Sequence, residues 1–208
     1  AVITLDNPGG AVIGTDIGAV GLTASTINLS NDIETDASNI TISGAVKLAQ
    51  SAGDYTVIVT SGTTGAGNIS FSSTIDAIDD TNPEVLTIIA GTGTVEIGGA
   101  IGATKDLAAV TIQASAATDT GAVTINEVGS GTTAGATTVT IGNSTTPNDK
   151  ITFTGGVFVT SDDQTFRADA YDMTGTNPTF IASGKDISFA ASAGASAAGD
   201  IVLSDTAN

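Results

Sequence analysis

The feature that most limits how this chain can fold is a pair of short apolar alternations that keeps returning. In GTVEIGGAIGATKDLAAVTIQAS, from Gly93, Val95 and Ile97 make one pair, and Val110 and Ile112 make the second. The same layout returns as Ile40/Ile42 with Val57/Val59, Ile69/Phe71 with Leu86/Ile88, and Val123/Ile125 with Val139/Ile141. Ile151/Phe153 and Ile187/Phe189 open two further units, and Val202 stands where the last unit's second alternation would fall. Units start near Gly10, Ser38, Gly67, Gly93, Gly121, Asp149 and Lys185. Their usual step is roughly 26–29 residues, inside the range of solenoids and arrays. The unit from Asp149 runs longer, and TFRADAYDMTGTNPTF, at about 165–180, reads as an insertion.

Alternation with a period of two marks strands, not helices. Gly, Thr and β-branched residues are weak helix formers. The alanine-bearing stretches KLAQSAG and DLAAV are too short to hold a helix alone. Aromatics make up 4% of the 208 residues, and Trp is absent. The core must therefore be built from Val, Ile, Leu and Ala, which suits a thin interior between strands. The expected fold is all-β: a parallel β-solenoid, or β-helix, of about seven irregular coils in one elongated repeat domain over residues 1–208. The alternative is a β-sandwich that donates its terminal strand, AVITLDN, to a neighbour. Hairpin turns of the Asn-Gly or Asp-Gly kind are missing, which favours the solenoid.

Charge narrows the function classes. The formal net charge is −17, with five Lys plus Arg. So few cations cannot neutralise a phosphate track, so no nucleic-acid partner is expected. No run of about 18 apolar residues is present, so no membrane insertion is expected. There is no Cys and no His. That removes disulfides, thiolate metal sites and the commonest general base. The chain starts and stops within strand-like sequence, AVITLD and IVLSDTAN, and reads as a processed protein or a section of a longer one.

With those units in hand, the chain resembles the β-strand repeats of giant bacterial surface proteins of the filamentous haemagglutinin-like adhesin family. GTVEIGGAIGATKDLAAVTIQA and GNISFSSTIDAI followed by VLTIIAGTG carry the likeness, which is clearest from Ser38 to about Thr146. The resemblance implies a secreted, elongated, non-enzymatic solenoid used in adhesion, fibres or biofilm matrix. It supplies no functional residues to transfer.

Few residues stand out as sites. Asp79 and Asp80 in AIDDTNPE, and Asp162 and Asp163 in TSDDQT, are acidic doublets in loop-like sequence. Oxygen-rich loops hold Ca²⁺, but neither doublet has EF-hand or β-roll spacing, and solvated turns are the plainer reading. Otherwise no cofactor is expected. Polysaccharide cleavage needs clustered carboxylates and aromatic platforms; here the acids are scattered and aromatics few, so no enzyme is expected. Asn28, Asn39, Asn68 and Asn143 lie in N-x-[ST] sequons, frequent by chance in so Ser/Thr-rich a chain. Gly91/Gly93 and Gly129/Gly131 read as turns, since no Lys follows to make a phosphate loop. Arg167, Tyr171 and Met173 in the long unit are residue types enriched at interfaces. Val2, Ile3 and Leu5 at one end, and Ile201 and Leu203 at the other, are candidate pairing strands between copies.

The function expected from these features is an extracellular structural protein: a surface-filament subunit, matrix fibre or adhesin stalk that associates with itself through strand edges or solenoid ends. The alternative is a module that binds carbohydrate or a host receptor.

Overall fold

The computed structural model describes residues 2–5, 18–49, 56–62, 65–79, 81–114, 121–143, 145, 148–173, 177–183 and 185–190. Each alternation within them forms a strand. Among the described residues there are 17 strands and no helix. All 17 belong to one sheet, and every strand-to-strand pairing in it is parallel. This is a parallel β-solenoid. Parallel pairing within the chain also removes the sandwich alternative, whose sheets would be antiparallel.

Each turn has three faces. Val95–Ile101 supplies the first and second face of one turn, and Leu107–Gln113 the third. The turn before runs Ile69–Phe71, Ile75–Ala77, Val85–Ile89, and the turn after runs Ala122–Val128, Ala136–Ile141. Ile40–Leu48 with Thr56–Thr60 precedes these, and Asn148–Phe153, Val157–Thr160 and the start of Gln164–Asp172 follow. These make about five interior turns, each covered above and below. An end turn flanks them on either side. The first is Val20–Leu29 with Ile33–Glu34. The last is the remainder of Gln164–Asp172 with Thr179–Ala182 and Ile187–Ala190. Val2–Leu5 adds one strand over the second face of the first turn.

The alternating residues stack on their equivalents. On the third face Ile33, Val59, Ile88, Ile112, Ile141, Phe166 and Phe189 form one inward ladder. On the first face Leu22, Ile42, Phe71, Ile97, Ile125 and Phe153 form another. From Ile27 to Phe166 these inward side chains are 0–1% exposed. Each such burial contributes about 1.5–3 kcal/mol, repeated turn after turn. Gly93 lies at a corner where a Cβ would collide with the Gly67 carbonyl of the turn below, so only glycine lets the corners approach.

Gly10, read as the start of the first unit, lies outside the described residues; the first described turn begins at Val20. Two later readings differ from the sequence reading. The residues at 165–180 are not an insertion. Gln164–Asp172 is one unbroken strand that leaves the third face of one turn and enters the first face of the next. Tyr171 there pairs with Ile151, the position that an aliphatic residue fills in earlier turns. Ile187 and Phe189 pair with Gln164 and Phe166, so Lys185 leads into a third face rather than opening a new unit. No Gly or Pro marks this crossing, so punctuation by turn residues could not place it.

Candidate functional surfaces

The acidic and amide side chains work between turns. Asp32 Oδ1 accepts the Ile58 N–H at 2.8 Å, one turn further on. Asn39 Oδ1 accepts from Asn68 N, and Asn68 Oδ1 from Thr94 N, both at 2.9 Å. Asp76 Oδ1 takes Thr104 N–H at 2.8 Å and Lys105 N–H at 3.4 Å. Glu127 Oε1 accepts from Gly156 N at 2.8 Å, and Asp163 Oδ1 from Asp186 N at 3.1 Å. In each case a side chain of one turn satisfies a backbone donor of the next. Corners interrupt the ladder, and these oxygens take its place.

Of the candidate metal residues Asp163 belongs to this pattern, and Asp79 and Asp162 make local caps. Asp79 Oδ1 accepts from Thr81 N and Asn82 N at 2.8 and 3.2 Å, a self-capped turn. Asp162 Oδ1 accepts from Asp163 N at 2.9 Å and lies 3.6 Å from Lys185 Nζ. Asp80 lies outside the described residues. Among those described, no three acidic side chains come together to hold an ion. Of the sequons, Asn39 and Asn68 are the inter-turn ladder above, and Asn143 Oδ1 caps Thr145 N at 2.7 Å. Asn28 Nδ2 reaches Thr4 Oγ1 at 3.4 Å. Gly91, Gly129 and Gly131 have positive φ and sit in turns, as read from sequence.

The end formed by the last two turns is aromatic. Phe153 lies 5.0–5.2 Å, edge-on, from Phe158, Phe166 and Phe180. Phe166 stacks on Phe189 at 4.9 Å, and Tyr171 meets Phe189 edge-on at 5.3 Å. Tyr171 and Met173, two of the interface candidates, are partly buried and pack against this core. The Tyr171 hydroxyl accepts from Ala168 N at 3.1 Å and directs its proton to the Phe166 and Ala190 carbonyls, at 2.9 and 2.7 Å. Burial raises its pKa above the ordinary 10, against the N–H that Ala168 donates to it. Buried Gln164 takes the place of an aliphatic residue between Val139 and Ile187. Its Nε2 donates to Phe158 O at 2.9 Å and Ile181 O at 2.7 Å, bracing two turns of the second face across the interior. Sequence reasoning missed Gln164, whose only signal is a polar residue at an inward position.

The pairing candidates are split. Val2 is 64% exposed on a strand paired with Thr26–Leu29 through Val2, Ile3, Thr4 and Leu5. Ile201 and Leu203 lie outside the described residues. Arg167 projects outward between buried Phe166 and Ala168. It sits on the third face, whose outer side had no signal in the sequence. There Ile58, Thr87, Thr111, Thr140, Thr165 and Ser188 align in register, one per turn.

No family model, no curated protein and no solved structure matches the chain.

Proposed function

We propose that this chain is a structural section of an extracellular filament, surface fibre or adhesin stalk, built to stack end on end. The reading rests on the end turns. Among the described residues, no strand covers the outer edge of Thr179–Ala182 or Ile187–Ala190, or of the first face of the first turn. A parallel ladder open at both ends accepts another copy in the same register, and a head-to-tail contact that does not close makes a fibre. The amide and carboxylate corners that bond one turn to the next support a role in form. The likeness to adhesin repeats points to the cell surface.

The Asp186 carbonyl already accepts from Gln164 N at 2.9 Å. The alternation of a parallel ladder therefore turns the Ile187 N–H to the open edge. Electron microscopy of the purified protein should show rods longer than the roughly 35 Å that seven turns span at about 4.8 Å each. Ile187→Pro deletes an outward donor and should shorten those rods to single units while circular dichroism stays unchanged. Single units for the wild-type protein at high concentration would reject end stacking.

A further inference from the structure

The outer side of the third face has a composition unlike the rest of the molecule. Over four successive turns its outward residues are Thr56, Ile58 and Thr60; Val85, Thr87 and Ile89; Ala109, Thr111 and Gln113; and Thr138 and Thr140. None is charged, in a chain whose net charge is −17. Most are half-buried merely by their neighbours in the ladder, and no described strand covers them. The first face, by contrast, carries Glu96, and Lys150 paired with Asp172 at 2.6 Å. The second carries Lys47 and Glu127. Two copies repel through most of their surfaces, and these four turns of the third face bring no carboxylates together.

Charge returns in the first and sixth turns: Asp32 stands beside Ile58, Asp163 beside Thr138, and one further column is charged at both ends with opposite sign. That column runs Glu34, Thr60, Ile89 and Gln113, passes Gly142, and reaches Arg167. Gly142 stands against the Arg167 backbone, which fixes their succession. Glu34 lies in the first turn and Arg167, the chain's one arginine, in the sixth. Among the described residues neither has an ion-pair partner in its own chain.

We propose that this face pairs two copies of the chain, antiparallel and face to face, with Glu34 of each opposite Arg167 of the other. A two-fold axis along the strand direction reverses the order of turns and keeps each column facing itself. The first turn then meets the sixth, the second the fifth and the third the fourth. Thr87 faces Thr111, Ile89 faces Gln113, and both ion pairs form at the rim. The opposite arrangement, with parallel solenoids, leaves Glu34 without a cation. Strands of five residues over six turns give roughly 500 Å² of flat face per copy, and about 1,000 Å² for the pair, the lower bound of a specific interface. The threonine and isoleucine side chains are short enough for two sheets to close to about 10 Å.

This pairing uses the outer side of the third face and no open strand edge, so it stands or falls apart from the filament reading. Sedimentation velocity over a concentration series tests it, in an Ile187→Pro background that removes end stacking. A discrete dimer is expected there. Glu34→Arg and Arg167→Glu alone should each weaken dimerisation at least tenfold. The double variant, with the charges exchanged, should restore it. Thr111→Glu, at the centre, should abolish it, while Thr124→Glu on the first face should leave it intact; circular dichroism confirms folding of each. A monomer at all concentrations overturns the proposal. So does a dimer indifferent to Thr111→Glu, or a charge exchange that fails to restore what the single changes lose.

Discussion

The interior turns from Ile40 to Ile141 and the two turns that follow keep one register but fill it differently. In the first region the inward ladders are mainly Ile, Val and Leu, with Phe71 the single ring among the described residues. In the second, Phe153, Phe158, Phe166, Phe180 and Phe189 occupy the same columns, with Tyr171 at the mouth and Gln164 inside. The sequence repeat is plain in the first region and nearly lost in the second. What persists through both is pairing, not residue identity. A solenoid asks only that each inward position be filled against the turn below. Large rings satisfy that as well as aliphatic chains, through edge-on contacts that join three faces at once.

The comparison is broken most forcefully at its two centres. Phe153, on the first face, touches rings of the other two, so Phe153→Ala should destabilise by about 3–5 kcal/mol. Amide exchange should speed up from residue 148 onward while strands such as Val85–Ile89 stay protected, because each turn leans on its neighbours alone. Ile97→Ala, in the aliphatic region, should cost about 2–4 kcal/mol and loosen turns on both sides. If both variants melt the whole chain alike, the two regions form one cooperative unit and the contrast is only one of composition.

Polar bracing gives a smaller effect. Gln164→Leu removes two donors from the Phe158 and Ile181 carbonyls, and an expected loss of about 1–3 kcal/mol would appear in denaturant midpoints. Asp76→Ala leaves the Thr104 and Lys105 N–H groups without their acceptor and should cost about 1 kcal/mol in the aliphatic region. Equal losses would make the interior brace no more than another corner bond.

The smallest effect lies at the mouth of the aromatic end. Burial raises the Tyr171 pKa, so the folded state favours the neutral phenol. Its contribution is fully present below the unfolded value near 10 and is lost as pH rises through the folded value. Thermal midpoints measured between about pH 8 and 11 should fall at the alkaline end, and Tyr171→Phe should flatten that fall at a cost of about 1 kcal/mol near neutrality. An unchanged alkaline slope in Tyr171→Phe would place the titration elsewhere.

Much of the architecture was legible because it is local. Val95/Ile97 and Val110/Ile112 announce strands by alternation, and their equivalents announce a repeat whose parallel pairing the structure then decided against a sandwich. The glycines at corners were legible as turns. The crossing at Gln164–Asp172 was not, since a strand that bends between faces without Gly or Pro leaves no mark. Asp162 and Asp163 read as a doublet, yet the backbone groups they cap, at Asp163 and Asp186, are chosen by the path of the chain.

By itself the sequence determined that the chain forms repeated strands, that its interior is narrow and aliphatic over most of its length, and that its surface is acidic. Alternation, side-chain volume and net charge are properties of the residues, and they hold before any turn is wound. Only the tertiary structure decided which residue sits above which. Register is set by corners of unequal length, so the placement of Tyr171 over Ile151, and of Glu34 and Arg167 at opposite ends of one column, exists only once the turns are stacked.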